Sequence, residues 1–226
     1  MTPATATITE PTTAPATDPT TDDERTIAPV VDLGRFRPPS GGDGVAEREA
    51  ARAVFGARPG QIVVGMVGRL VAEKGYPELF EAAAELGESY QVVVIGPDDP
   101  DKADALPSDQ IEAATRSGVR FLGLRDDVEL LYRGMDLFVL PSHREGFPRA
   151  AMEAAASGLP VVASDVRGCR QVVEHGVTGL LVPARDPGRG RRRAAEPAGG
   201  LRRGPARFGR PGGPRQTGRR RPGRVR

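Results

Sequence analysis

Apolar residues in the middle of the chain fall into short β-branched runs separated by segments of helical period. "QIVVGMV" (61–67), "QVVVIG" (91–96), "VRFLG" (119–123), "DLFVLPS" (136–142), "PVVAS" (160–164) and "TGLLVP" (178–183) are short and mostly lack polar alternation. That is the pattern of strands buried on both faces. Between the first two, "PELFEAAAEL" (77–86) repeats apolar residues at Leu79, Phe80, Ala83 and Leu86, one face of a helix. Further helices are predicted near 108–117, over 126–134 with an acidic first turn, and over 147–157. In the last, Pro148 suits the first helical position and Gly158 the residue just past the end. A turn-helix is predicted near 168–174. Six strands joined by crossovers imply an α/β fold: a Rossmann-like parallel sheet with helices on both faces. Such sheets bind ligands beyond the carboxyl ends of their strands, so the residues just after each strand are the candidates for chemistry.

Composition confines this pattern to part of the chain. Residues 1–28 are mainly Thr, Pro, Ala and acid, with Arg25 the one basic residue; residues 187–226 hold fourteen Arg, no Lys and one acid, Glu196. Neither stretch has the apolar content to offset ordering entropy, so both are predicted to be disordered tails around a domain at 29–186. The second tail carries about +13, which leaves −11 on residues 1–186 in a chain of net +2. The sequence pI near 9.0 therefore describes the tail. Its arginines suit non-specific nucleic-acid binding through phosphates, although Phe208 is its one aromatic residue for stacking. No run approaches the ~18 apolar residues of a membrane span. The start has no signal-peptide pattern, and a single cysteine, Cys169, fits a reducing compartment. The expected localisation is cytoplasmic.

Two places after strands carry candidate chemistry. "GRLVAEKG" (68–75) sets Arg69 and Lys74 between Gly68 and Gly75. The cations suit a diphosphate and the glycines allow close approach, but the same residues suit a solvated loop. Neither the Walker spacing nor a G-x-G-x-x-G fingerprint is present. After the fourth strand, His143, Glu145, Gly146 and Phe147 lead into a helix whose first N–H groups attract anions. Glu145 there also suits a dipole partner or capping group, and Glu153 taken alone reads as a solvated helix residue. Small neighbours (Ala150, Ala151, Ala154, Ala155 and Ala156) leave room beside Glu153. His175 reads as an exposed turn residue and Cys169 as packing, and no metal-binding cluster is evident.

Taken in order, "VDLGRFRP" (31–38), "GRLVAEKG" (68–75), "VRFLGLRDDV" (119–128), "DLFVLPSHREGFPRAAMEAAASGLPVVASD" (136–165) and "GCRQVVEHGVTGLLVP" (168–183) resemble the C-terminal, donor-binding domain of family-4 retaining glycosyltransferases, one half of the GT-B fold. The resemblance spans roughly residues 30–186 and includes the family's two glutamates separated by seven residues. It implies hexosyl or N-acetylhexosaminyl transfer from a nucleotide-sugar donor, UDP-linked, to a glycan or lipid-linked glycan, with no metal or other cofactor. Arg69 and Lys74 would hold the diphosphate, Glu145 would face the sugar, and the backbone of Gly146 and Phe147 would touch sugar or phosphate. Glu153 would bind the ribose, His143 a sugar hydroxyl, and the base would rest near Gly123 and Leu124. Catalysis would fall to Glu145, Arg69 and Lys74.

Three departures from the family shape further expectations. The family's N-terminal acceptor domain has no counterpart here, which leaves a binding module or an inactive truncated product as the alternative reading. After Asp186 an amphipathic helix is expected, whereas the sequence turns to Arg, Gly, Pro and Ala, as a GC-rich frame read out of register would. Pro148 stands where many relatives have Gly, which removes one N–H near the ligand.

Overall fold

A computed structural model describes residues 31–185. The segments 1–28 and 187–226, and the expectations placed on them, lie outside the described residues. Six strands form one wholly parallel sheet: β1 (Ile62–Val67), β2 (Tyr90–Ile95), β3 (Arg120–Phe121), β4 (Leu137–Leu140), β5 (Val161–Ser164) and β6 (Gly179–Val182), in the order β3-β2-β1-β4-β5-β6. Register pairs Val64 with both Val92 and Leu137, Phe138 with Val161, and Val162 with Leu180. The helices are α1 (Gly41–Phe55), α2 (Tyr76–Ala84), α3 (Ser108–Arg116), α4 (Val128–Gly134) and α5 (Arg149–Ala156).

Period-two alternation divides the core into two layers. Val63, Val93, Ile95, Phe138, Leu140, Val161 and Ala163 face one layer with residues of α1, α4 and α5. Val64, Met66, Val92, Val94, Leu137, Val139 and Val162 face the other, with Tyr76 and Leu79 of α2 and Ala114 of α3. Covering both faces is what permits uninterrupted apolar strands.

Helix α1 was not predicted, and it is attached by both apolar and polar contacts. It buries Ala51 and Phe55, and a Cβ at Gly134 would lie 2.7 Å from the Ala51 Cβ, so the missing side chain lets α1 approach α4. Arg48 Nη1 donates to the carbonyls of Arg133 and Met135, and Arg52 Nη1 to that of Gly134, which satisfies acceptors where α4 ends. Both guanidiniums also bind Asp136, at 2.6 and 3.0 Å, and the Val63 N–H donates to the same carboxylate at 2.9 Å. Burial pushes the Asp136 carboxyl up, but these donors outweigh it and hold it below the ordinary carboxylate range.

Several predicted elements are shorter than expected. The strand expected over 136–142 stops at Leu140, before Pro141, and the turn-helix expected near 168–174 is one 3-10 turn, Cys169–Gln171. The helix expected from 147 starts at Arg149. Pro148 (φ −80°, ψ 75°) caps it from outside the helical region instead of occupying the first helical position. At the other end, the Gly158 N–H bonds the Ala155 carbonyl and the Leu159 N–H that of Ala154, the paired bonds of a glycine-terminated helix. Among the described residues no helix is long and apolar enough to cross a membrane.

Candidate functional site

Strand order reverses between β1 and β4, and an open α/β sheet splays its loops apart at such a point. The loop leaving β1 carries Gly68, Arg69 and Lys74, and the loop leaving β4 carries His143, Glu145, Gly146 and Phe147. The fold thus brings two loops together whose named residues are 69 to 79 positions apart in sequence.

The two loops are zipped together. Lys74 Nζ meets Glu145 Oε1 at 2.7 Å, and buried Ser142 donates its hydroxyl to the same oxygen at 2.7 Å. The Glu145 side chain is only 7% exposed. On either side of that pair, Arg144 binds Glu73 at 2.8 Å and His143 Nε2 meets Glu78 at 2.6 Å, while the His143 N–H donates to the Glu73 carbonyl. Gly75 makes the approach possible: its φ of 80° disfavours a side chain, and a Cβ would fall 2.2 Å from the Pro141 carbonyl oxygen. On the far side, the Gly168 N–H donates to the Glu145 carbonyl at 3.1 Å. Below Glu145, Cys169 is buried, and burial together with that carboxylate pushes its thiol up to about 12. It therefore stays protonated and unreactive.

Other predicted residues sit differently. Arg69 is turned toward Asp99 Oδ2, 2.9 Å away, rather than toward Glu145. The Gly68 carbonyl accepts from the buried Tyr76 hydroxyl at 2.7 Å. Gly146 has open space where a side chain would project, and Phe147 is half exposed. Glu153 lies on α5 in a separate contact set: Oε2 accepts from Tyr132 at 3.4 Å and Oε1 is 4.0 Å from Arg149. Burial raises the Glu153 carboxyl above its ordinary range, against the opposing pull of Arg149, Tyr132 and Arg35. Lys74 and Glu145 therefore meet directly, while Arg69 and Glu153 have their own partners. His175, expected in a turn, is exposed just before one: it bridges to Gly179, and its Nδ1 accepts from the Leu181 N–H. Among the described residues no group of three or more His, Cys, Asp or Glu is placed to hold a metal.

Sequence reasoning missed Ser142, Glu73, Glu78 and Asp99. Ser142 was recoverable, because it lies two residues past the end of β4, on the side where a parallel sheet binds its ligands. The others are partners defined by tertiary contact, with no signal in local spacing.

The chain matches known proteins in sequence and in fold. The family model described as glycosyl transferases group 1 matches residues 47–193. The D-inositol 3-phosphate glycosyltransferase of Nocardia farcinica is 38% identical over 166 residues, 69% of this chain and 35% of that protein. Its Rhodococcus erythropolis counterpart is 39% identical over 168 residues, 69% and 36% respectively. The chain thus spans about a third of the length of these relatives. Among solved structures, Anabaena HepE in complex with UDP and glucose superimposes with a TM-score of 0.59 at 26% identity, over 70% of this chain and 42% of that one. Sucrose-phosphate synthase of Thermosynechococcus elongatus gives 0.62 at 31%, over 75% and 43%. The C-terminal domain of LpcC from Francisella tularensis gives 0.60 at 25%, over 73% of this chain and 85% of that one.

Proposed function

Because the chain belongs to the glycosyl transferases group 1 family, we propose that its described domain holds a UDP-linked sugar for retaining transfer of a hexosyl or N-acetylhexosaminyl unit. The observation that carries this reading is the Lys74–Glu145 pair at the point where strand order reverses. A lysine has three donors, so Lys74 can keep Glu145 in place and still donate to a diphosphate. The Arg69–Asp99 pair is half exposed and worth about 1 kcal/mol or less, so a diphosphate can displace Asp99.

Cleavage of the sugar–phosphate bond builds negative charge on the departing nucleoside diphosphate. Arg69 and Lys74 would stabilise that charge as it forms, which makes the site complementary to the transition state. Glu145, fixed by Lys74 and Ser142, faces the sugar; Gly68 and Gly146 admit the ligand backbone-close, and Phe147 and His143 border it. Glu153 accepts from the ribose diol. Charge compensation comes from side chains, so binding requires no metal and survives EDTA. HepE's complex with UDP and glucose supports the donor class. The names of the curated relatives make inositol 3-phosphate the first acceptor to try, beside glycans and lipid-linked glycans.

Isothermal titration of the full chain with UDP, UDP-glucose and UDP-N-acetylglucosamine tests this reading. Binding is expected, with Glu153→Ala weakening it about tenfold or more, the equivalent of one lost charge-assisted hydrogen bond. No heat with any nucleotide-sugar would overturn it. Binding with no product from any acceptor would instead favour a module that holds the donor without transferring it.

A further inference from the structure

Arg35 is absent from the site as drawn above, yet it connects the elements at the Glu153 end. Asp32 first shapes its segment: Asp32 Oδ1 accepts from the N–H groups of Gly34 and Arg35, and the Asp32 carbonyl from that of Phe36. The turn aims Arg35 across to the loop between β3 and α4. There its Nη2 donates to the Asp126 carbonyl at 2.6 Å and pairs with Glu129 Oε2 at 2.8 Å. The guanidinium stands 5.7 Å from the centroid of the Phe36 ring, and Phe36 packs edge-on against Tyr132, whose hydroxyl donates to Glu153.

The loop so gripped is held at other points as well. Arg125 clamps Asp127 through two bonds of 2.9 and 2.7 Å, and the Gly123 carbonyl accepts from the Gly96 N–H at 2.9 Å. Between these anchors Leu124 projects, 72% exposed. A loop with an ordered backbone and a solvent-facing apolar side chain offers a flat edge and fixed amide groups.

We propose that Arg35 is a positioning residue for the nucleoside half of the donor, tying the 122–127 loop and the start of α4 into a fixed relation with Glu153. This rests on the reading of Glu153 as the ribose carboxylate. One guanidinium nitrogen donates to a backbone carbonyl and ion-pairs with a carboxylate; a lysine ammonium can make both contacts but lacks the planar group that lies by the Phe36 ring, so it replaces Arg35 only in part. Its charge also acts on Glu153 at a distance, as the smallest of the influences that favour that group's ionised form.

The experiment separates the two ends of the donor. Full-length wild type, Arg35→Ala, Arg35→Lys and Lys74→Ala are each titrated with UDP and with inorganic diphosphate. Arg35→Ala is expected to lose about tenfold in UDP affinity while diphosphate binding stays within about twofold. Lys74→Ala is expected to lose both, and Arg35→Lys to recover part of the UDP affinity. Unchanged UDP binding in Arg35→Ala overturns the proposal. So does an equal loss of both ligands, which a general loosening of the fold would give. Failure of wild type to bind UDP at all would instead strike the donor-binding reading on which the proposal stands.

Discussion

At the scale of single residues, the two glutamates of the site differ in what surrounds them. Glu145 is tucked against a cation and a hydroxyl, both at 2.7 Å. Glu153 is half buried among alanines, with a long bond to Tyr132, and burial dominates its shift upward. An acid with a raised folded-state pKa binds its proton more tightly when folded. Ionised Glu153 therefore costs stability above that pKa, and the cost disappears as pH falls through it. The cost is accepted if the carboxylate is needed in its charged form. If it accepts hydrogen bonds from a ribose, the affinity advantage of wild type over Glu153→Gln should be largest near pH 8. It should shrink as pH falls through the raised Glu153 pKa. UDP titrations of both proteins across pH 4–8 read this ratio, in which the ligand's own ionisation cancels; a ratio independent of pH would remove the charge of Glu153 from the binding event.

Among whole elements, what the sequence revealed depended on what holds each one. The strands were legible because burial on both faces forces continuous Val, Ile and Leu, as in "VVVI" of β2. Helix α5 was legible from its small residues and closing glycine, although Pro148 proved to be its cap. Helix α1 was not. Its opening "GGDG" reads as a loop, and it is held by Arg48 and Arg52 reaching Asp136, 84 or more positions away. Its buried apolar side chains are only Ala51 and Phe55, too few to form a stripe that can be read. The site was half legible for a similar reason: Lys74 and Glu145 stood out through family motifs, whereas Arg35, Glu78 and Asp99 matter through contacts that only the folded chain makes. The Asp136 anchor can be tested. Asp136→Asn should cost about 3 kcal/mol at pH 7, since it leaves two partly buried guanidiniums short of their counter-charge. The Asp136 carboxyl is held low, so its contribution is present above the unfolded-state pKa near ~4 and is lost as pH falls through the folded value. Urea unfolding at pH 7 and pH 3 should show the gap between wild type and variant narrowing in acid; a gap below about 0.5 kcal/mol at pH 7 would show that α1 is held by its apolar contacts.

For the whole molecule, the sheet order and the charge distribution assign different tasks to different parts of the chain. Reversal of strand order between β1 and β4 marks the place of the proposed ligand site, where Lys74 and Glu145 are paired while Arg69 and Glu153 are held by partners of their own. Such a site selects by geometry at close range. The −11 on residues 1–186 and the +13 on residues 187–226 act differently, as net charges set by composition. At physiological ionic strength such charges are screened over about 8 Å, so the basic segment has little long-range influence on the site and a large capacity for any polyanion it touches. Contacts with single-stranded RNA release counterions, and the logarithm of affinity then falls with the logarithm of salt at about 0.7 per neutralised phosphate. The full chain should therefore be retained on RNA at low salt with a steep salt dependence, and deletion of 187–226 should abolish retention while UDP affinity changes by less than about twofold. Electrophoretic mobility shifts over a salt series, paired with UDP titration of both proteins, measure the two effects independently. RNA retention by the shortened chain would mean that the basic contact lies on the folded domain itself, despite its net negative charge.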